Sequence, residues 1–302
     1  MKVLVTGASG YIGGSVASAL LGAGHRVVGL VRSDERAAQV RARGIEPLIG
    51  TLDDAALLAD AARDVDAVIN AAHAEHRGAV EAILKGLAGS GKAFLHTSGS
   101  SIVADLAAGE PTDRVYDEDT PVHPLPGRRD RVALDRTVLA AAENGVRAVV
   151  ICPSLIYGAG RGVNARSIQI PWLIALAKEH GVPRHLGRGE NLWSNVHIDD
   201  LVELYLLALE RAPAGAFYYA ASGENSMREA CQAIGRMLGL GERTEPMTLE
   251  QAAAAWGEGA ASYTMGSNSR VRAMRARREL GWAPHRPSLL EDIEAGSYRE
   301  AS

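Results

Sequence analysis

A glycine-rich segment near the start of the chain has the spacing of a phosphate-binding turn. Gly7, Gly10 and Gly13 recur within Thr6–Gly13, directly after the apolar run Val3–Val5. Glycine lets a backbone approach a diphosphate closely, and a helix starting behind the turn offers free N–H groups and a positive dipole end. In the alternative interpretation these glycines only make a tight turn. The predicted contacts to a bound dinucleotide are Thr6, Gly7, Ser9, Gly10, Tyr11, Ile12 and Gly13.

The end of the next apolar run bears on which dinucleotide is used. An acidic residue there would bind the adenosine ribose and repel a 2′-phosphate. Val31 stands at that position, and Arg32 and Ser33 follow it. A guanidinium pairs with a phosphate, and a hydroxyl donates to it. The pattern favours NADPH, with NADH also usable. The alternative is that Arg32 is a surface arginine and Asp34 binds the ribose.

Residues 2–152 alternate short β-branched runs with amphipathic ones, which is typical of a parallel sheet covered by helices. The candidate strands are Val3–Val5, Arg26–Val31, Pro47–Ile49, Ala67–Ile69, Ala93–Leu95 and Ala148–Ile151. Helical spacing appears in Ile12, Val16 and Leu20 and in Val80, Ile83, Leu84 and Leu87. The sequence therefore predicts an α/β protein with a doubly wound parallel Rossmann sheet, which binds ligands at the carboxyl ends of its strands.

The character of the chain changes after Tyr157. A glycine-rich loop precedes an apolar helix near Pro171, and capping boxes at Ser226–Glu229 and Thr248–Gln251 predict further helices. We expect a Rossmann domain over residues 1–155 that binds NADP(H), and a smaller, mostly helical substrate-binding region over 156–302. Residues 194–212 are expected to return to the Rossmann domain.

Four separate motifs resemble the extended or atypical short-chain dehydrogenase/reductase family, which includes NAD(P)-dependent epimerases and dehydratases. They are the glycine turn, Pro153–Gly158, Val196–Leu201, and Leu280–Trp282 followed by Pro284. The resemblance implies a Rossmann fold and a nicotinamide cofactor. It also implies further cofactor contacts at Thr51, Leu52, Ala71, Ala72, His73, Pro153 and Leu155. His73 is equally interpretable as an ordinary surface histidine.

The residues that most members of that family use for catalysis are replaced. The resemblance implies a tyrosine proton donor, a lysine four residues later that binds the ribose, and a serine or threonine that binds the carbonyl oxygen. Gly127, Arg131 and Gly99 occupy these positions. Arg131 can still bind the ribose, but a guanidinium does not readily donate a proton. The candidate catalytic residues are therefore Arg131 and the flanking hydroxyls of Ser98 and Ser100, which alternatively cap or bond backbone at a strand end.

Other groups capable of proton transfer are Tyr116, His123, Tyr157 and His197, each more simply interpreted as structural. Reduction nevertheless needs little from the protein beyond holding NADPH and a ketone in register. A phenol on the substrate itself, hydrogen-bonded to the reacting carbonyl, would stabilise the alkoxide. We therefore expect a ketoreductase acting on a polycyclic aromatic ketone or quinone, similar to the atypical ketoreductases of angucyclinone biosynthesis. The predicted pocket walls are Leu155–Ile168, Trp172, Trp193, Trp256 and Tyr263.

Two alternative functions follow from the same residues. A redox-sensing regulator would bind NADP(H) without turnover, and the loss of the catalytic residues predicts it equally well. A nucleotide-sugar epimerase or dehydratase needs a strong base, and Gly127 in place of tyrosine weakens that interpretation.

Composition narrows the partners. The 302 residues carry a formal net charge of -4 with intermixed signs, which predicts no nucleic-acid partner. The five arginines between Arg270 and Arg278 are interpreted as one solvated helical face. No apolar run approaches the roughly 20 residues that span a bilayer. The two cysteines lack metal-ligand or redox spacing, so no metal is expected. These features predict a soluble cytoplasmic protein, and the family resemblance implies a small-molecule substrate and a monomer or homodimer.

Overall fold

The computed structural model describes residues 1–299. The strands are β1 (Lys2–Thr6), β2 (Arg26–Val31), β3 (Glu46–Ile49), β4 (Ala67–Asn70), β5 (Ala93–Thr97), β6 (Arg147–Pro153), β7 (Leu155–Tyr157), β8 (Arg184–Leu186), β9 (Leu192–His197), β10 (Ala216–Ala220), β11 (Gly223–Ser226) and β12 (Glu245–Met247). The helices are α1 (Tyr11–Gly22), α2 (Asp34–Arg41), α3 (Ala55–Arg63), α4 (Arg77–Leu87), α5 (Arg129–Ala140), α6 (Gln169–His180), α7 (Ile198–Arg211), α8 (Met227–Met237), α9 (Leu249–Trp256), α10 (Glu258–Ala260), α11 (Met274–Leu280) and α12 (Leu289–Ala295). Short 3-10 turns span Ser100–Val103, Pro126–Arg128 and Ala141–Asn144, and a π-helical turn spans Ala261–Met265.

The main sheet has seven strands in the order β10-β6-β5-β4-β1-β2-β3, and every neighbouring pair is parallel. The predicted doubly wound Rossmann fold is confirmed, and all six predicted strands are present within two residues of their ends. The strand order reverses between β1 and β4. A crevice therefore opens at the carboxyl ends of these two strands, where ligands of such sheets bind.

Both faces of the sheet are buried because side chains alternate along each strand. Val3 and Val5 face α1 and α7, whereas Leu4 faces α3, α4 and α5 on the other side. Burying one such side chain contributes about 1.5–3 kcal/mol. The stacked core fixes the strand ends and so the positions of the loops that follow them.

The C-terminal region contains more strand than the sequence predicted. β11, β9 and β7 form a small sheet, and β12 pairs with β8. Because β9 belongs to the small sheet, the segment that returns to the Rossmann domain runs from Ile198 to Ala220, with α7 against α1 and β10 beside β6. The capping boxes at Ser226 and Thr248 are confirmed. Within residues 1–299, no helix has the length and apolar character needed to cross a bilayer.

The predicted single helical face of arginines is wrong. Arg270 and Arg272 lie in an extended segment before α11, and both pair with Glu224. Tyr116 and Val271 form a parallel bridge there, so the local backbone follows strand geometry rather than helical spacing. The ion pairs engage these arginines within the protein.

Candidate active site at the carboxyl edge of the sheet

The turn after β1 is packed so closely that side chains are excluded from it. Gly7 has φ +74°, and a Cβ built there would lie 2.7 Å from the carbonyl oxygen of Ala71. A Cβ on Gly13 would overlap the carbonyl of Gly7. The N–H of Gly10 donates to that same carbonyl at 2.8 Å, which closes the turn. The result is a cradle of bare backbone.

Helix α1 begins immediately behind this cradle with its N-terminal amides uncapped. Gly10 is the N-cap residue, no side chain accepts from the first turn, and the first turn has no acidic residue. The positive end of the helix dipole therefore faces the turn without a competing anion. Cradle and helix together fit the diphosphate of a dinucleotide, which bare amides bind well. The side chain of Tyr11 is used elsewhere, because its hydroxyl donates to the carbonyl of Gly158 at 2.8 Å.

The residues predicted at the adenosine end follow β2 and β3. Arg32 is exposed, and Ser33 caps α2 by accepting from the N–H of Arg36 at 3.3 Å. Thr51 donates through its backbone N–H and its hydroxyl to Asp54, at 2.6 and 3.1 Å. Leu52 packs at the edge of the core. Within residues 1–299 the Arg32 guanidinium has no hydrogen-bond or ion-pair partner, so it is available to bind a phosphate.

The remaining predicted cofactor contacts follow β4 and β6. Ala71 lies against Gly7. The next two residues, Ala72 and His73, are exposed, and the Nδ1 atom of His73 accepts from the N–H of Glu75. Pro153 ends β6, whereas the side chain of Leu155 is buried in a second core, which residues of β7, α6, α8 and α12 form in the C-terminal region. Leu155 can therefore approach a cofactor only through its backbone.

The guanidinium of Arg131 projects from α5 and lies next to Gly99. Its Nη1 atom is 3.2 Å from the point where a Cβ on Gly99 would stand, and it donates to Ser101 Oγ at 3.0 Å. Its Nε and Nη2 atoms bind Glu75 Oε1 at 2.9 and 2.8 Å. Within residues 1–299, three of its five N–H groups are thus engaged, and two have no partner. Glycine at position 99 provides the space for the guanidinium.

Ser98 and Ser100 do not face the crevice, which corrects the expectation that they act on substrate. Ser98 Oγ donates to Asp135 at 2.7 Å, and Ser100 Oγ accepts from Ser269 at 2.7 Å. Both side chains are almost fully buried. The residue that sequence reasoning missed is Ser101, whose Oγ accepts from Arg128 Nε and Arg131 Nη1, each at 3.0 Å. The 3-10 turn directs the Ser101 side chain toward the two arginines. In the sequence, the only signal for this residue was its place in a group of three serines at positions 98, 100 and 101.

A buried polar network lies beneath this site. Thr6 donates to Asn70 at 2.5 Å, and the Asn70 amide bonds to His96 Nδ1 at 3.0 Å. His96 Nε2 then faces Asp135 Oδ1 at 3.7 Å, and neither atom has a hydrogen-bond partner among the described residues. Burial lowers the pKa of His96 to about 4 and raises the pKa of Asp135 to about 7. Both groups are therefore held toward their neutral forms.

Comparison with known proteins shows which family the chain belongs to. Residues 3–220 match the model of the NAD dependent epimerase/dehydratase family. The chain belongs to that family. The match spans the glycine cradle, the strand ends and the Arg131 site. It confirms the family resemblance, and the family and relatives support an NAD(P)-dependent oxidoreductase or epimerase/dehydratase.

Relatives extend over nearly the whole chain. The protein named Oxidase ucsJ from an Acremonium species is 33% identical, over 99% of this chain and 97% of its own. The protein named 4-hydroxy-2-methyl-3-oxo-4-farnesyl-3,4-dihydroquinoline-1-oxide ketoreductase, from Stigmatella aurantiaca, is 31% identical over 94% of this chain and 92% of its own. The crystal structure of UDP-glucuronic acid 4-epimerase from Bacillus cereus, in complex with UDP-glucuronic acid and NAD, superposes with a TM-score of 0.76 at 18% identity, covering 100% and 99% of the two chains.

In this member of the epimerase/dehydratase family, a tyrosine from another element lies next to Gly127, the position where the family resemblance implies a tyrosine. The hydroxyl of Tyr263, in the π-helical turn, lies 2.8 Å from a Cβ built on Gly127. The Arg128 guanidinium stacks on the Tyr263 ring, 4.5 Å from its centroid. Tyr263, one of the predicted walls, therefore does border the site.

The other proton-transfer candidates are placed differently. Tyr157 donates to the carbonyl of Pro287 at 2.7 Å, and His197 caps α7 through Nδ1. Burial raises the pKa of Tyr157 and lowers that of His197. Both are structural. Tyr116 and His123 instead line a cavity of about 350 Å³ that also touches Val103 and Leu125, next to the Ser101 and Arg128 turns.

The remaining predicted walls do not converge on that cavity. Trp193 is buried in the second core, with Nε1 donating to the carbonyl of Ser267 at 2.6 Å, so its prediction as a wall is wrong. Trp172 and Trp256 pack against the same core. Both ends of the loop after β7, Gly158–Ala159 and Ala165–Ser167, instead border a separate cavity of about 320 Å³ beside Pro171 and Tyr298.

Proposed function

We propose that this protein is an NADPH-dependent ketoreductase that reduces a carbonyl of a polycyclic aromatic substrate without the usual tyrosine and lysine. The observation that carries the proposal is the pair of guanidiniums, Arg128 and Arg131, converging on one hydroxyl beside an uncapped dinucleotide cradle. Fixed positive charge at that point favours a reaction in which a carbonyl oxygen becomes an oxyanion.

The chain's own residues fit the cofactor. The amides of Tyr11 and Ile12 bind the diphosphate, and Arg32 pairs with the 2′-phosphate that distinguishes NADPH from NADH. The two free N–H groups of Arg131 bind the nicotinamide ribose in place of lysine. A bound reduced nicotinamide supplies a hydride to the carbonyl carbon.

Two arguments support the proposed substrate class: the site offers no ready proton donor, and one relative is named for a related substrate. Neither arginine donates a proton readily, so a substrate with its own phenol beside the carbonyl suits the site. The Stigmatella relative is named as a ketoreductase of a dihydroquinoline oxide, in which the ketone and a neighbouring hydroxyl are on a ring fused to a benzene ring. Polycyclic ketones and quinones with a neighbouring hydroxyl, as in angucyclinones, are therefore the proposed substrates.

The experiment follows NADPH absorbance with polycyclic ketones and quinones that include a matched pair, 8-hydroxy-1-tetralone and 1-tetralone. We expect turnover, faster for the compound whose hydroxyl is hydrogen-bonded to the carbonyl. Equal rates within the pair would contradict substrate-assisted protonation. NADPH binding without turnover across the panel would favour the regulator, and interconversion of UDP-glucose and UDP-galactose would favour the epimerase.

A variant pair tests the role of Arg131. Arg131→Ala is expected to weaken NADPH binding about tenfold or more, because a charge-assisted hydrogen bond contributes about 1.5–3 kcal/mol. Arg129→Ala is the control, since Arg129 is exposed on the same helix. Equal NADPH affinities in the two variants would exclude the ribose role.

A further inference from the structure

The cavity of about 320 Å³ beside α6 has the size and lining of a small-ligand site. Pro171, Ile174 and Lys178 line it, and their spacing of three and four residues puts them on one face of the helix. Tyr298, which follows α12, lines the same cavity, whereas Arg131 does not border it. Small-ligand pockets have volumes of about 300–1,000 Å³. The cavity therefore admits a compact ligand with an apolar body.

Two cations border this cavity without being neutralised. Arg166 lies just before α6, and Lys178 lies in the last turn of that helix. The backbone N–H of Arg166 donates to Asn164 Oδ1 at 3.0 Å. Within residues 1–299, neither the Arg166 nor the Lys178 side chain has a hydrogen-bond or ion-pair partner, and no carboxylate lines the cavity. The charge around the cavity is therefore positive, which favours an anionic group on the ligand.

Ser167 and Tyr298 form a buried pair of hydroxyls in the cavity wall. Their oxygens lie 2.8 Å apart, and Tyr298 also accepts from the N–H of Gly158 at 3.2 Å. Both residues are 7% exposed, and burial raises the pKa of Tyr298 to about 12, so the phenol keeps its proton at neutral pH. The contact between the two hydroxyls uses one proton, and within residues 1–299 the other proton has no acceptor. A buried donor without an acceptor costs free energy, and a ligand oxygen in the cavity would remove that cost.

We propose that this cavity binds a small monocarboxylate with an apolar body. One carboxylate oxygen accepts the free proton of the Ser167–Tyr298 pair, and the carboxylate also pairs with Arg166, which precedes Ser167 in the sequence. The apolar body lies along Pro171 and Ile174. Lys178, further along the same helix face, adds positive charge. This site goes beyond the proposed function, because filling it requires neither a nicotinamide cofactor nor a ketone.

Calorimetric titration of the full-length protein with octanoate tests the proposal, with 1-octanol as the uncharged probe of the same chain length. We expect saturable one-to-one binding of octanoate. Binding of 1-octanol is expected to be at least about tenfold weaker, because it lacks the charge-assisted hydrogen bonds of a carboxylate. Absence of saturable octanoate binding, or equal affinities for the two compounds, overturns the proposal. The titration contains no cofactor and no ketone, so its result is independent of ketoreductase activity.

Two variants locate the bound octanoate. Arg166→Ala is expected to raise the Kd for octanoate about tenfold, whereas Arg41→Ala, at the exposed end of α2, is the control and should leave it unchanged. Ala175→Trp puts a large side chain into the cavity from an exposed position on α6, and is expected to abolish octanoate binding. Thermal melting confirms that each variant is folded. An unchanged octanoate affinity in either Arg166→Ala or Ala175→Trp overturns the proposal.

Discussion

The phenol of Tyr263 occupies the space that a side chain at position 127 would need. Its hydroxyl and Cζ atoms lie 2.8 and 2.9 Å from the point where a Cβ on Gly127 would stand. The two residues are 136 positions apart in sequence, and Tyr263 comes from the π-helical turn of the C-terminal region. A side chain at position 127 would therefore have to displace the end of the Tyr263 side chain.

Gly127→Ala tests this relationship. In the wild-type background the added methyl displaces Tyr263, and we expect a loss of about 1–3 kcal/mol in the free energy of unfolding. In the Tyr263→Ala background the same change is expected to be neutral or stabilising, because alanine restricts the unfolded chain more than glycine does. Urea unfolding of the four proteins measures the coupling. Additive effects within about 0.5 kcal/mol would show that the two residues do not interact.

Arg32 is predicted to select the cofactor. Arg32→Ala removes a guanidinium that can pair with the 2′-phosphate, so the Kd for NADPH should rise about tenfold while the Kd for NADH stays nearly constant. Arg26→Ala is the matched control, because Arg26 begins the same strand at its opposite end. If Arg32→Ala weakens both cofactors equally, the residue does not read the 2′-phosphate.

Asp135 is predicted to make stability depend on pH. Burial raises its pKa in the folded state to about 7, so between pH 4 and pH 7 the folded protein holds a proton that the unfolded chain releases. Stability from this group is complete below about pH 4 and is lost as the pH rises through 7. Relative to Asp135→Asn, the wild type should therefore lose stability over that window, by at most about 1.4 kcal/mol per pH unit.

Urea unfolding between pH 4.5 and 7.5 measures this difference. His96 has the opposite slope, since burial lowers its pKa to about 4, and it faces Asp135 at 3.7 Å, so the two proteins are also compared in a His96→Gln background. Asp130→Asn changes an exposed carboxylate on the same helix and serves as the control. A difference between wild type and Asp135→Asn that does not change with pH would mean that Asp135 is ionised in the fold.

The Rossmann half of the chain could be predicted from the sequence because its signals are local. β1, the glycine turn and α1 follow one another directly, and each of the six predicted strands is a short apolar run. β10 was missed, although Ala216–Ala220 is as apolar as the others, because it lies far along the chain from β6, its neighbour in the sheet. The strands of the small sheet were missed because β9 and β11 are largely polar and are stabilised by side-chain hydrogen bonds.

The catalytic assignment was only partly predictable for a different reason. Aligning Arg131 with the family's lysine needs only the spacing along α5, and the structure puts its guanidinium over Gly99. The 3-10 turn after β5 decides which of the three nearby serines faces the crevice. A shift of one residue along this turn would bring Ser100, instead of Ser101, toward the arginines. The contribution of Tyr263 is a long-range contact that no local pattern contains.

Calorimetric titration of the purified protein with NADPH and with NADH tests the central claim most directly, because every proposed step depends on the glycine cradle holding a dinucleotide. We predict saturable one-to-one binding, tighter for NADPH, that is lost in Gly13→Val, whose side chain would collide with the carbonyl of Gly7. No measurable binding of either cofactor by the folded wild-type protein would contradict the account.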